Sequence, residues 1–221
     1  MEATEGGSVE GGGIFVEGDR VTLKAIPDEG YHFEQWSDGS TDTPYTFEAK
    51  EHVTLTAKFA PNAYNLIYVI DGVEYKRVSV LYKSEVEGIA VEAREGHTFS
   101  GWSGLPATMP ARDVTVNGSF TVNKYLVTFK IGDVVVSSKS LAYGTAIVAP
   151  AAPEKEGYTF DGWGEVAETV PARDVTYEGS YSVNSYTLTY MVDGEKYQEE
   201  TVAYGTALTA PNAPTKEGYT F

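Results

Sequence analysis

Short runs of alternating hydrophobic and polar residues recur along this chain, and they predict β-strands. The segment 125–131 is β-branched and aromatic, a composition that favours a strand. A Gly-Asp pair then predicts a turn, before a returning strand that begins at 134–136. Two more strands are predicted over 158–163 and 175–181. In the last of these, every second residue from Val175 shares one face, because side chains alternate along a strand.

The segment 150–157, which lies between the predicted hairpin and the last two strands, has early prolines, charged residues and a closing glycine. These features fit either a helix of one or two turns or a structured loop. A hairpin, a short helix or crossover and two further strands are typical of a small β-grasp-like sheet. The predicted fold class is therefore mainly β, in the sense of a β-rich α+β protein.

The same pattern returns with a period of 61 residues, so the chain is built from repeats. The segment 157–163 echoes 96–102 at this offset, and 171–176 repeats 110–115. A third copy begins at Tyr186. The hairpin turns of the flanking copies are Asp-Gly pairs, which accept a positive φ at both turn positions.

The repeat divides the chain into four predicted modules, 6–60, 63–123, 124–184 and 185–221, set close together in an elongated array. The first is a divergent, more purely β copy, in which Val21 to Ile26 alternates as a strand. In that module Val9 and 14–16 flank three glycines, which predicts a hairpin. The fourth stops inside the motif that 157–163 completes, so we expect the sequence to be a fragment and this unit to be the least stable.

Composition and charge exclude several functions. The 221 residues carry 16 Lys and Arg against 32 Asp and Glu, a net charge of −16. This balance argues against binding to nucleic acid or to an anionic membrane surface. There is no Cys, which excludes thiol catalysis, disulfides and thiolate metal sites. No apolar run approaches the ~20 residues of a membrane span, so no direct membrane insertion is expected.

The repeat motifs resemble the InlB B-repeat (Listeria–Bacteroides repeat) family. The resemblance is carried by Tyr-Gly-Thr-Ala at 143–146 and by Lys-Glu-Gly-Tyr-Thr-Phe-x-Gly-Trp at 155–163. The first module is similar to the divergent InlB B-repeat group through 30–39, Gly-Tyr-x-Phe-x-x-Trp-Ser-Asp-Gly. The second departs from the pattern at 83–85 and lacks the paired prolines, so its middle segment is predicted to be a truer helix.

This resemblance implies a β-grasp-like module in exported, surface-anchored bacterial proteins, which serve as spacers or adhesion-associated repeats. It offers no catalytic residues to transfer and no cofactor. The expected location is the extracellular side or cell wall of a Gram-positive-type bacterium.

Candidate chemistry is sparse. The three histidines, at positions 32, 52 and 97, have no metal-ligand spacing, and Gly13 to Gly18 lacks the Lys-Ser/Thr that a phosphate-binding loop needs. Calcium remains an alternative, because Asp38, Asp42 and the Asp-Gly turns supply carboxylates, but the EF-hand pattern is missing. We therefore expect no enzyme, no metal and no cofactor.

Aromatic residues are the strongest candidates for a functional role. Six of them occupy equivalent positions and are predicted to close the modules as core anchors: Trp36, Trp102, Trp163, Phe33, Phe99 and Phe160. The 16 tyrosines exceed what the cores need, and Tyr68, Tyr75 and Tyr197 are predicted to face outward, where they could bind a partner. The recurring Arg-Asp pairs at 112–113 and 173–174 predict local ion pairs or turns.

Three functions compete on this basis. The first is a non-catalytic stalk that holds another domain away from the cell, with four modules in line reaching on the order of 100 Å. The second is an adhesion module that binds a host protein or glycan through exposed aromatics or a sheet edge. The third is an enzyme or its accessory module, which is disfavoured because no nucleophile, base or metal constellation appears. Neighbouring repeats of the same chain are the other expected partners.

Overall fold

The computed structural model describes residues 2–221, and these residues form strands, turns and loops. The mainly β prediction is confirmed. The helical part of the expectation is wrong, because the described residues contain no α-helix and 150–157 is an irregular crossover. The β-grasp likeness stays a prediction.

The middle segment of the second module, for which the sequence predicts a truer helix, is also irregular. Its carbonyl groups are engaged elsewhere: the Glu87 oxygen accepts from the Tyr68 hydroxyl and the Ile89 oxygen accepts from the Trp102 indole, both at 2.8 Å. The Val86 amide donates to Ala107 at 3.1 Å. In a helix these backbone groups would pair with residues four positions away, so the contacts to the rest of the module favour the irregular form.

The chain forms two compact units, one up to Thr121 and one from Val122 onwards. Residues 2–61 of the former contain two three-stranded sheets, ordered β1-β6-β4 and β2-β3-β5. Strands β2 and β3 pair as a hairpin across the loop 11–19, so 14–16 is not the returning strand that the sequence predicts. The strands are β1 (Glu2–Ala3), β2 (Gly7–Glu10), β3 (Arg20–Pro27), β4 (Tyr31–Trp36), β5 (Tyr45–Glu48) and β6 (Thr56–Pro61).

The remainder of this unit is a hairpin extended by a parallel strand. Strands β7 and β8 are antiparallel, and β10 lies parallel to β7 on its other side. Strand β9 pairs separately with β11. The strands are β7 (Ala63–Ile70), β8 (Val73–Leu81), β9 (His97–Phe99), β10 (Val114–Gly118) and β11 (Phe120–Val122).

The second unit repeats this arrangement in a more regular form. A single sheet has the order β13-β12-β15-β14, with β12 and β15 parallel at its centre. A separate hairpin, β16-β17, follows, and 204–221 contains no strand. The strands are β12 (Lys124–Ile131), β13 (Val134–Ala142), β14 (Tyr158–Gly162), β15 (Val175–Val183), β16 (Ser185–Val192) and β17 (Glu195–Ala203).

The three long hairpins share a bulge near their turns. In each, the returning strand carries one extra residue between two paired positions: Tyr75, Val136 and Tyr197. A bulge bends the strand and re-aims the extra side chain. The turns themselves differ, because Asp71 and Asp193 have φ of 52° and are followed by glycines with positive φ, as a type I′ turn requires.

Hydrophobic cores lie inside the modules. The first is built on residues of β3 and β6 with Trp36, the second on Leu66, Tyr68, Met109 and Val116, and the third on Val127, Phe129, Trp163 and Val170. Alternate residues of β7 are buried, from Leu66 through Ile70. This burial follows from strand alternation with one face covered by the crossover segment.

Candidate functional site

The three tryptophans anchor their modules in the same way. Trp36 is fully buried, Trp163 is 8% exposed, and Trp102 is partly buried within the second core. Each indole N–H donates a hydrogen bond of 2.8 Å to a main-chain oxygen, which satisfies the one polar group of a large apolar ring. The acceptors are, in order, Asp42, Ile89 and Pro150.

A phenylalanine three positions earlier packs on each tryptophan. The ring centroids of Phe33 and Trp36 are 5.4 Å apart, and the two equivalent pairs are both 5.1 Å apart. Such tilted and edge contacts are favourable arrangements for aromatic rings. The six aromatics that the sequence singles out as module-closing anchors therefore lie against one another in pairs.

The predicted outward position of Tyr68 is wrong. This residue is 1% exposed and its ring lies 4.8 Å from that of Trp102. Burial raises the pKa of its phenol. The hydroxyl reaches Glu87, so a tyrosine can be accommodated in the core without an unpaired donor.

Tyr75 and Tyr197, the other two predicted partner-binding tyrosines, are 44% and 43% exposed. Both are the extra residue of a hairpin bulge, which turns them toward the crossover segment of their own module. The Tyr75 ring lies 6.4 Å from Trp102, and the Tyr197 hydroxyl donates to the Asn212 oxygen at 3.2 Å. Each therefore combines an exposed edge with one intramodular contact.

A groove of about 460 Å³ lies beside Tyr75, between the hairpin turn and the crossover. Its walls include Ile70 and Phe120, and the Arg94 guanidinium stacks 4.4 Å from the Phe120 ring centroid. Arg94 also pairs with Asp71 at 3.5 Å. The groove thus offers apolar walls and one ion pair, a combination that can accept an extended apolar or aromatic group.

A second cavity, of about 540 Å³, opens in the first module between the loops 12–17 and 49–55. Its floor is apolar, with Val21, Leu23 and Phe47, and its rim carries charged residues. Ile14, beside it, is fully exposed. This open end of the module is a recess with an apolar floor and a charged rim.

The repeated Arg-Asp pairs, for which the sequence predicts local ion pairs or turns, also hold the first strand of their modules through their aspartates. The Asp113 carboxylate accepts from the side-chain amide of Asn65 at 2.9 Å and from its backbone amide at 2.8 Å. These two hydrogen bonds lower the pKa of Asp113 below its ordinary value of 3.8. In the third module Asp174 accepts from the Leu126 amide at 2.8 Å. Both aspartates therefore satisfy a backbone N–H near the start of the first strand.

The modules meet directly at two described junctions. In the first, the Asn62 amide donates to the Gly30 oxygen and the Tyr82 amide donates to the Asn62 oxygen, both at 2.8 Å. Tyr82 covers the Gly30 backbone, where any β-carbon would overlap its ring, and stands edge-on to Tyr31 at 5.5 Å. Glycine is required here by both the close approach and a φ of 84°.

The junction between the third and fourth modules has the same construction. The Asn184 amide donates to Gly157 and the Tyr204 amide donates to Asn184, again at 2.8 Å. The Tyr204 ring covers Gly157 and lies 6.2 Å from Tyr158. Sequence reasoning did not assign these residues to the junctions, although Asn62 and Asn184 differ by two repeat periods and so carried a detectable signal.

Residues 2–221 contain no group of three or more His, Cys, Asp or Glu side chains placed to hold a metal ion. Within the same residues, no helix has the length and hydrophobicity needed to cross a membrane.

Comparison with known proteins agrees with the repeat architecture. The sequence profile of the divergent InlB B-repeat domain matches residues 1–63. The profile of the Listeria-Bacteroides repeat domain matches three times, over 64–122, 125–183 and 186–221. The three matches together cover more than half of the chain.

Proteins that are similar over part of their length include three from two bacteria. Two proteins of Evansella cellulosilytica, named "Putative membrane protein" and "Putative Gly-rich membrane protein", are 28% and 30% identical over 76% and 87% of this chain. Internalin H of Listeria monocytogenes is 36% identical over 50% of it. These alignments cover 29%, 27% and 22% of the respective relatives, so the chain spans only about a quarter of their length.

Proposed function

The chain belongs to the Listeria-Bacteroides repeat family, and from this premise we propose that it is a non-catalytic repeat region of a bacterial cell-surface or secreted protein. Its role is that of a stalk that holds another domain away from the cell. The similarity to Internalin H and to two proteins named as membrane proteins supports a surface location.

The observation that carries the proposal is how little chain separates consecutive modules. Only Asn62 lies between β6 and β7, and only Asn184 lies between β15 and β16. Each asparagine is held on both sides by backbone hydrogen bonds of 2.8 Å. A flexible linker would let modules fold back on each other, whereas a one-residue connection fixed by hydrogen bonds and a ring contact resists bending.

The net charge of −16 supports the same role. Like charge distributed over an exposed chain favours solubility and opposes collapse of one module on another. It also disfavours adhesion to anionic surfaces, which is consistent with a stalk that holds another domain away from the cell.

Solution scattering on the 221-residue chain tests the stalk. The proposal expects a maximum dimension on the order of 100 Å, from modules of roughly 25–30 Å in line. Replacing Asn184 by a flexible stretch of glycine and serine residues should broaden the distance distribution. A compact particle, unchanged by that insertion, would contradict the stalk.

A second function, adhesion to a host protein or glycan, is favoured by Tyr75 and its groove. A half-exposed tyrosine beside an apolar recess is suited to stacking on a sugar or packing on a side chain. An array of glycans and matrix proteins should then give saturable binding that Tyr75→Ala weakens and that Tyr186→Ala, at another exposed tyrosine, leaves unchanged. Failure to bind any arrayed ligand would favour the stalk.

A further inference from the structure

The two described junctions differ in the origin of the positive charge over their tyrosine. At the second junction, the Lys155 ammonium lies 3.7 Å from the Tyr158 ring centroid, and both residues belong to the same module. The corresponding position of the first module is Asp28, two residues before Gly30. The cation over Tyr31 is instead Lys83, which belongs to the following module.

The backbone of Lys83 is unusual. Its φ is 64°, in the left-handed region that non-glycine residues rarely adopt. The third and fourth modules place Gly144 and Gly205 here, with φ of 75° and 77°. A lysine with this backbone conformation is less favourable than the glycine of the third and fourth modules. Backbone strain of this kind is retained where the side chain has a functional role.

The side chain of Lys83 contacts the preceding module. Its ammonium lies 5.4 Å from the Tyr31 centroid and 5.5 Å from that of Tyr82, within the range of a cation–π interaction. It is also 3.5 Å from the Glu5 carboxylate, which accepts a second hydrogen bond from the Tyr31 hydroxyl. Hydrogen bonding to Tyr31, followed by the interaction with Glu5, raises the pKa of Lys83.

Both partners of the ion pair are more than half exposed, so the pair by itself contributes little. The contacts of the Lys83 ammonium with the rings of Tyr31 and Tyr82 are therefore the larger part of its interaction. A lysine at position 83 therefore bridges the pair of tyrosines that forms the junction, at a place where glycine could make no contact.

We propose that Lys83 is the residue that specifies this module as the neighbour of the divergent first module. It supplies from the following module the cation that Tyr31 lacks because Asp28 stands where the third module has Lys155. A module with glycine at this position would follow the divergent module with a looser junction. The pairing of these two modules does not depend on whether the chain is a stalk or an adhesin.

Amide hydrogen exchange in the full 221-residue chain tests the proposal at individual backbone hydrogen bonds. The Asn62 and Tyr82 amides form the junction hydrogen bonds and report its opening directly. Lys83→Met keeps the backbone strain and the aliphatic stem but removes the charge. Because an exposed cation–π contact is worth only a few-fold in an equilibrium constant, both amides should exchange about two- to fivefold faster. Lys76→Met, which removes an exposed lysine of β8, should leave them unchanged.

Placing a lysine at position 28, in the first module, should compensate for the loss of the Lys83 ammonium. The Tyr31 and Tyr158 amides donate to Asp28 and Lys155, respectively, both at 3.1 Å, so the two turns share one geometry. Asp28→Lys in the Lys83→Met background should therefore restore slow exchange at Asn62. Unchanged exchange in Lys83→Met, an equal acceleration in the strands distant from the junction, or no restoration by Asp28→Lys would each overturn the proposal.

Discussion

Gly179 of β15 lies beneath two aromatic rings, and its replacement by alanine should destabilise the third module. A β-carbon at this position would stand 2.7 Å from the Phe160 ring and 2.9 Å from the Trp163 ring. Carbon atoms in van der Waals contact are about 3.5–4.0 Å apart, so at least one ring must move by several tenths of an ångström. The φ of Gly179 is not in the left-handed region, so the added methyl group acts through space alone.

The rings have little room to yield. Phe160 and Trp163 pack edge-on at 5.1 Å, and Trp163 packs at the same distance on Phe129. The indole is also tethered to the Pro150 oxygen. Overpacking a core of this kind costs about 1–3 kcal/mol, and removing a strand glycine returns about 0.5–1 kcal/mol. Because the rings are held on several sides, we place the cost in the upper half of its range and expect a net loss of about 1–2 kcal/mol.

Amide exchange along β15 measures this loss. A change of about 1–2 kcal/mol corresponds to roughly 5- to 30-fold faster exchange where exchange follows opening of the module. Gly179→Ala combined with Phe160→Leu, which shortens the overlapping side chain, should cost less than the sum of the two single changes. Thr176→Ala, on the exposed face of β15, is the control. Protection of β15 that Gly179→Ala leaves intact would refute the packing argument.

A hydrogen-bonded group in the second and third modules and the hairpin of the fourth each give a measurable expectation. The pKa of Asp113 is lowered in the folded chain, so its stabilising contribution is present above the unfolded pKa and is lost as pH falls through the folded value; an NMR titration of its carboxyl group should give a midpoint below 3.8, and a higher midpoint would contradict this. Tyr177→Phe removes the acceptor of the Ala167 amide, at 3.2 Å, and should destabilise by about 0.5–1.5 kcal/mol in urea unfolding. In an Ala167→Pro background, which has no amide hydrogen, that cost should disappear, and a persisting cost would indicate another cause. Residues 185–221 should exchange faster than 124–184, because their described strands are one hairpin without a parallel strand beside it; slower exchange there would be inconsistent with this reasoning.

The second and third modules differ at the position of Tyr177. Position 106 of the second module is proline, which has no amide to satisfy, and Val116 stands where the third module has Tyr177. The hydroxyl of the second module is instead on Tyr68, where the third has Phe129. Each module thus places a tyrosine hydroxyl where a backbone group needs a hydrogen-bond partner: the Glu87 oxygen in the second module and the Ala167 amide in the third.

The sequence by itself determined the 61-residue period, the three hairpins that turn at 71–72, 132–133 and 193–194, and most strand positions. Local patterns suffice for these features, because alternation and turn residues act over a few neighbouring positions. The spacing of the tryptophans and phenylalanines also marked the residues that pack together inside each module. The sequence did not predict that residues 2–221 contain no α-helix. The crossover segments take their conformation from hydrogen bonds to aromatic side chains that are distant along the chain.

Only the tertiary structure decided which tyrosines face the core. Residues 66–70 are hydrophobic on both faces of β7, so alternation could not distinguish the side of Tyr68 from that of Ile67. The hairpin bulges depend on how two strands align, and they set the direction of Tyr75. The junctions depend on residues 52 and 47 positions apart along the chain, Gly30 with Tyr82 and Gly157 with Tyr204. Contacts of that range have no local signature, because their energy appears only when folded modules meet.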